Sequence, residues 1–437
     1  MSQLNQQLSD ALQLGEPVET GQEDGMSAVD VATDLHEANS ILDETKRVED
    51  IREGVIAMGQ VAATLECSTL HHLALFQIAG NLATAGTGLS SDAIIPNLES
   101  YNGTSVSVES ISQTAANLWK RVLEALKRAA EVFAKFWDSI YDSTAGMSRA
   151  NQRLQARSKA MKGRSIDKPT IVLNTERRKL EINGQIPSNG AIVHKALVRL
   201  KSTLKAVLEG YTGSVLAGGA ALVSAAQHTQ LPADQYLQSH IDAANKIDIR
   251  SVAGLLGARD YTDSRFSPGE VMASPALIGN RTLFVYKGAT YNNNSSVLSQ
   301  AEICRSRRIE LGHTSTRQDV NGNEPVSINT FDAGVTHAIS QEIADILKMI
   351  STYAKGGRRQ SLIKQKKALI DAVDSAQGSL YGNQTTESDS SHYRSASRFA
   401  SAFSAWAENP HDALCTHALS VCRAAISACN KSMAAHR

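Results

Sequence analysis

The chain is poor in aromatic residues: three Trp, ten Tyr and eight Phe supply 5% of its 437 positions. Proline is equally sparse, at nine. Few helix breakers in an Ala- and Ser-rich sequence favour helices over a β-rich fold. Five cysteines (Cys67, Cys304, Cys415, Cys422 and Cys429) make no CxxC pair. An odd cysteine count with no pairing motif points to a reducing compartment. The opening MSQLNQQLSDALQLGE has neither a basic start nor an apolar core, so it does not read as a secretory signal. Long hydrophobic runs are also missing. The two longest uncharged stretches, about 67–91 and 210–233, are diluted by Ser, Thr, Gln, His and Gly, and read as packed helices rather than membrane spans.

Catalytic motifs are absent as well. There is no GxxxxGK[ST], no GxSxG and no HExxH, although His36-Glu37 supplies the first half of the last. Gly218-Gly219 sits inside an Ala-rich helical run and makes a poor phosphate loop. The adjacent His71 and His72 point to different faces of any regular element. Cys415, Cys422 and Cys429 recur every seven residues, which places them on one helical stripe. Zinc ligands come two to four residues apart, so this spacing suits small residues facing a core. No catalytic, cofactor-binding or metal-ligating residue stands out, and the chain reads as a non-enzyme.

Basic residues are nearly missing from the front quarter. The whole chain balances 44 Lys+Arg against 44 Asp+Glu. Residues 1–110 hold only Lys46, Arg47 and Arg52 against 17 acids, a net of −14, which leaves +14 on the remainder. An acidic front on a basic body predicts attraction between the two parts. It also predicts affinity of the body for nucleic acid once the front is displaced.

What is present is mostly helical. Residues 1–40 are polar and acidic, including EPVETGQEDG, and read as disordered or weakly helical. Helical spacing runs over about 29–82, and the Gly/Ser/Pro-rich stretch ATAGTGLSSDAIIPNLESYNGTS follows as a link. An amphipathic helix is expected over 111–141, with a stripe that includes Leu118, Trp119, Phe133, Phe136, Trp137 and Ile140. Its continuation is basic: Arg149, Arg153, Arg157, Lys159, Lys162, Arg164 and Lys168 stand against Asp167 alone. Arginines four apart share a helix face, a spacing suited to phosphate contacts.

TIVLNT and KLEING read as two short strands, and ALIGNRTLFVY at 276–286 as another β element. Helix is expected over about 191–209 and again over the Gly/Ala-rich segment to about 226. Residues 287–329 read as irregular, with an arginine cluster at Arg305, Arg307 and Arg308. One helical block over about 330–375 carries Lys355, Arg358, Arg359, Lys364, Lys366 and Lys367, and helices are expected again over about 392–407 and 412–435. The organisation that follows is an acidic leader (1–109), an aromatic helix with its basic extension (110–168), a mixed body (169–375), a linker (376–391) and C-terminal helices (392–437). The fold class is mostly α with a minor β element, in a multi-helix, bundle-like body with α+β character.

The segment from NLESYNGTSVSVES through the Trp/Phe helix to SRANQRLQARSKAM resembles the opening of the internal head proteins of large tailed phages, the myoviruses. The similarity continues through KLEINGQIP, ALIGNRTLFVY, EIADILKMISTYAKGGRRQSLIKQKKALIDAV and ALCTHALSVCRAAISACNKSM. It is a likeness of layout from about residue 30 onward, with no single diagnostic motif. Residues 211–275 and 288–325 stand outside it.

The resemblance implies a virion structural protein packaged inside the capsid with the genome and trimmed by a prohead protease. Such proteases cut after Glu, with a small or aliphatic residue two positions earlier. Glu109 fits in the link, Glu37 and Glu53 fit the aliphatic form, and Glu66 and Glu99 are further candidates. Removal of the leader would expose a basic body to genomic DNA, held without sequence preference through the Lys and Arg residues named above. The implied partners are the phage DNA, the prohead protease and other capsid or inner-head proteins. The implied locations are the head interior and, during assembly, the host cytoplasm. Two alternatives stay open: a membrane-active or ejected protein acting through the 111–141 helix, and an enzyme with an unrecognised site.

Overall fold

The structure, a computed structural model, describes residues 137–437 except 264, 265, 267, 268, 289–295, 314–324 and 381–386. The acidic leader, the five candidate cleavage glutamates (Glu37, Glu53, Glu66, Glu99 and Glu109) and positions 111–136 of the aromatic helix lie outside the described residues.

Helix α1 covers residues 137–160. Strand β1 (Thr170–Leu173) and a single helical turn, α2 (Arg177–Leu180), follow. Asn189 caps α3 (Gly190–Lys205) by accepting from the Ile192 amide at 3.2 Å. A π-helical turn (Ala206–Tyr211) carries α3 without interruption into α4 (Thr212–Ala226). Two shorter helices come next, α5 (Ala233–Ala244) and α6 (Ile249–Leu255). The central region holds β2 (Arg259–Asp260), β3 (Val271–Ala273), β4 (Arg281–Tyr286), α7 (Val297–Ser306), β5 (Arg308–His313) and β6 (Val326–Asn329). Five helices finish the chain: α8 (Ala333–Lys355), α9 (Gly357–Leu380), α10 (Glu387–Ser397), α11 (Phe399–Glu408) and α12 (His411–Ala434). The fold is mostly α with a minor β part.

The strands form two small antiparallel sheets. One pairs β1 with β6, Thr170 opposite Asn329, and the other has the order β2-β3-β4-β5. TIVL is a strand, but KLEING is not. Leu180 ends α2, and Ile182 and Gln185 close a tight turn whose Asn183 and Gly184 both have positive φ (52° and 75°). Asn-Gly is the residue pair that such a turn selects, and it ends the extended run before a ladder can form. In the stretch expected to be irregular, α7 and β5 form instead, with Ser296 capping the helix. The single block expected over 330–375 divides at Gly356 into α8 and α9.

Seven buried residues of α1 (Trp137, Ile140, Thr144, Met147, Asn151, Leu154 and Ser158) alternate at spacings of three and four, the pattern of a coiled-coil seam, and Ser143, Gly146 and Ala150 widen the buried face beside them. They face α8 in antiparallel sense. Trp137 meets Tyr353 edge-on at 5.2 Å at one end, and Ser158 Oγ lies 3.3 Å from His337 Nδ1 at the other. Asn151 Nδ2 donates to the Ser340 carbonyl at 2.7 Å between them. One hydrophobic cluster draws buried residues from every described helix and from β1, β4, β5 and β6. Helix α12 runs through it, buried on most of its circumference. Cys415, Cys422 and Cys429 are fully buried there, on the core stripe that their spacing predicts. Burial pushes the Cys422 thiol up to about 12, so it packs as a small apolar residue.

Gly218 and Gly219 are packing positions. A Cβ on Gly218 would overlap the Ile247 side chain, and one on Gly219 would overlap Phe403 and Gln365. The pair lets α4 approach its neighbours closely, which is the physical reason it falls in an Ala-rich helix.

Candidate polyanion interface

The outward face of α1 carries the basic run. Arg149 and Arg157 are exposed and Arg153 is half-buried, because the seam residues turn the opposite face toward α8. Lys159, Lys162, Arg164 and Lys168 are all exposed where the chain leaves the helix. The connection from α1 to β1 is held rather than loose. The amides of Asp167 and Lys168 donate to the Ala435 carbonyl at 2.9 and 3.2 Å, and the Arg437 amide donates to the Ser165 carbonyl at 3.1 Å. Thr330 Oγ1 donates to the Lys168 carbonyl at 2.5 Å.

This tethering adds a residue that sequence reasoning missed. Arg437 Nε pairs with Asp167 Oδ1 at 2.9 Å, while its side chain remains 77% exposed. The one acid of the 149–168 run is thus neutralised by a base from the far end of the chain. Only a fold can bring the two together, and no local signal marked it.

The other candidate bases divide into two groups. On α9, Arg358, Lys364 and Lys367 are exposed. Their neighbours serve the fold. Arg359 Nη1 donates to the Ala354 carbonyl at 2.8 Å, with Cζ 5.4 Å from the Trp137 ring centroid, and burial lowers its pKa. Lys366, 5% exposed, forms an ion pair with Glu408. Lys355 Nζ reaches Asp138 Oδ1 at 3.2 Å and lies over the Tyr141 ring at 4.6 Å.

The sequence cluster Arg305, Arg307 and Arg308 is engaged within the fold. Arg305 Nη1 donates to the Ser395 carbonyl and hydroxyl at 2.8 and 2.9 Å, tying α7 to α10. Desolvation pushes its pKa down to about 10. Arg307 Nη1 donates to Asn245 Oδ1 at 2.8 Å. Arg308 Nε meets Glu310 Oε1 at 2.5 Å, with its Cζ 3.9 Å above the Tyr286 ring. Three bases adjacent in sequence therefore reach three different neighbours, because a helix end and a strand start point them apart.

Chemically, the arrangement offers exposed positive charge and N–H donors on a held surface. Among the described residues, no group of three His, Cys, Asp or Glu side chains is placed to hold a metal. A cleft of about 40 Å³ lies between Trp137, Tyr353, Arg359, Lys366, Glu408 and Asp412, room for about one water. His240 and His417 are buried and kept neutral. Desolvation pushes them down to about 4 and about 3, and each ring bonds a backbone carbonyl, of Tyr236 at 2.9 Å and Ile278 at 2.8 Å. The continuous helix Gly190–Ala226 is long and apolar enough to cross a membrane by length and composition. In this fold it packs on α5, α8 and α9.

A search of the curated proteins finds no match, and neither does a search of the solved structures. The family model describing phiKZ-like phage internal head proteins matches residues 19–431, nearly the whole chain. The acidic leader, the shared helical core and the basic face all fall within that match, apart from Arg437 and the first 18 residues. The chain belongs to the phiKZ-like phage internal head proteins, a family of structural proteins of the phage head interior.

Proposed function

We propose that the protein is packaged with the genome, loses its acidic N-terminal region to a prohead protease, and then rests against DNA phosphates through the face built by α1, the 159–168 connection and Arg437. The observation that carries this reading is the exposure of Arg149, Arg157, Lys159, Lys162, Arg164 and Lys168 along one helix and its tethered exit, with Asp167 already paired. Six phosphate contacts would make log Kobs fall with log salt at a slope of about −5, without base preference. The exposed α9 bases Arg358, Lys364 and Lys367 extend the contact; Arg359, Lys366 and Arg305 stay with the core.

All five candidate cuts, after Glu37, Glu53, Glu66, Glu99 or Glu109, precede Trp137, so each leaves the described hydrophobic cluster whole. A cut after Glu109 removes all 17 acids of the front segment and leaves a body of +14. Before cleavage, the balanced chain resides in the host cytoplasm and meets the other inner-head proteins there. N-terminal sequencing of the protein recovered from purified phage particles tests the processing, and an intact start in mature heads removes it. Anisotropy titration with random-sequence duplexes across a salt series tests the DNA contact. Binding that ignores salt, or no binding in dilute buffer, removes that part.

A membrane-active role through the 111–141 helix and the uncharged stretch at 210–233 is less favoured, because Trp137 and Ile140, the described end of the first stripe, are buried against the core and the second stretch packs on α5 and α9. Flotation with neutral liposomes separates that role from electrostatic adsorption, which needs anionic lipid.

A further inference from the structure

We infer that one chain bridges two DNA duplexes, the first on the basic exit of α1 and the second on the exposed bases of α9. This rests on the polyanion reading above and deepens it: the α9 bases extend the contact to a second duplex rather than along the first.

The two basic groups stand at opposite ends of α8. At its start, Ser158 near the end of α1 lies 3.3 Å from His337, and Thr330, just before the helix, donates to the Lys168 carbonyl. The exposed Lys159, Lys162, Arg164 and Lys168 therefore gather at that end. At the other end Gly356 stops α8 and α9 begins, carrying the exposed Arg358, Lys364 and Lys367. The 23 residues of α8 set about 35 Å between the two ends.

The stretch of α1 between the groups is not basic. Residues 137–148, the half of α1 nearer α9, contain Asp138 and Asp142 and no Lys or Arg. Lys355, at the end of α8, pairs with Asp138 at 3.2 Å. Arg149 is the first base of α1, about 18 Å along the helix from Trp137. A duplex laid from one group to the other carries one phosphate charge per about 1.7 Å and would set part of that charge against the exposed Asp142.

The directions differ as well. Arg359, Ile363 and Lys366 line the cleft with Trp137, on the side of α9 that meets α1. Lys364 and Lys367 each follow one of these by a single position, a rotation of about 100° around the helix, and Arg358 precedes Arg359 on the other flank. The α9 bases thus flank the contact with α1 rather than continue its basic face. Three charges hold a duplex less firmly than six, with a salt slope of about −3 against about −5. The duplex on α9 is therefore the first to leave as salt rises.

The test uses the full chain. One random-sequence duplex is fixed to beads, protein is added, and a second, fluorescent duplex is then offered. The expected result is capture of the fluorescent duplex in dilute buffer, lost at lower salt than attachment of the protein to the beads. In the variant Arg358→Gln/Lys364→Gln/Lys367→Gln, attachment should keep its salt slope, which also reports an intact fold, while capture falls on the order of tenfold. Unchanged capture by that variant would mean bridging by paired chains and overturns the proposal. An attachment slope reduced by about 3 units also overturns it, since one duplex would then span both groups. Attached protein that captures nothing does the same and leaves the polyanion reading in place. No attachment at all removes that reading and this inference with it.

Discussion

Asp167 and Arg437 meet at 2.9 Å across almost the full length of the described chain, beside the Ile166–His436 bridge that stitches the C-terminus to the exit of α1. The pair is exposed enough to contribute little to stability, on the order of 0.2–1 kcal/mol. Its main effect is on charge, because it cancels the one acid of the 149–168 run.

Arg437→Ala should therefore leave the unfolding midpoint almost unchanged and weaken DNA binding by the leaderless protein. Two effects add: one cation is lost, and Asp167 is left to repel phosphate. The salt slope should fall by about one unit. Asp167→Asn should act in the opposite direction on affinity. Anisotropy titrations of both variants at several salt concentrations check the signs, and two variants shifting the same way would contradict the argument.

Gly218 and Gly219 provide a packing test with an internal control. A methyl at either position meets Ile247, or Phe403 and Gln365, whereas a methyl on Gly213, in the same helix, meets nothing within 4 Å. Gly218→Ala and Gly219→Ala should each destabilise the fold by about 1–3 kcal/mol through overpacking. Gly213→Ala should stabilise it by up to about 1 kcal/mol, through helix propensity and a less flexible unfolded chain. Urea unfolding monitored by circular dichroism reads all three.

These glycines also show what the sequence makes legible. Periodicity placed α3, α4 and α12 to within a few residues and found the start of α8 but not its end at Lys355, because each buries a stripe that repeats every three or four positions. It missed α5, whose short run mixes His, Gln and Asp with the buried Tyr236, Leu237 and Ile241, and α6, only seven residues long with a glycine in its last turn. It misread KLEING, where local turn chemistry at Asn183-Gly184 overrode an alternating pattern. In the candidate interface, the run from Arg149 to Lys168 was visible as local charge. The internal engagement of Arg305 and Lys366 was not, since Ser395 and Glu408 come from distant helices. Arg437 was missed for the same reason.

His417 and His240 predict acid sensitivity. Their folded pKa values, about 3 and about 4, lie below the usual 6.5, so the unfolded chain binds more protons between those values. Stability is complete above about pH 6.5 and is lost as the pH falls toward the folded values, by about 1.4 kcal/mol per pH unit for each group. His417→Gln keeps a neutral donor toward the Ile278 carbonyl, 2.8 Å from the ring nitrogen. It should flatten the fall in urea midpoint between pH 7 and pH 5, even if it lowers the midpoint at pH 7. An unchanged pH dependence would mean that the ring does not titrate between the two states.

Lys366 and Glu408 form an ion pair with side chains only 5% and 13% exposed, bridging α9 and α11 beside the Trp137 cleft. Breaking such a pair leaves one buried charge without compensation, which costs about 3–5 kcal/mol, whereas replacing both partners with apolar groups of similar volume is close to neutral. Lys366→Met and Glu408→Gln should thus each lower stability sharply, and the Lys366→Met/Glu408→Leu double variant should recover most of the loss. Because Lys366 is taken up by the core, the double variant should bind DNA with the same salt slope as the parent. A reduced slope would place Lys366 among the phosphate contacts instead, so unfolding and binding measured on one set of variants distinguish a core lysine from a surface one.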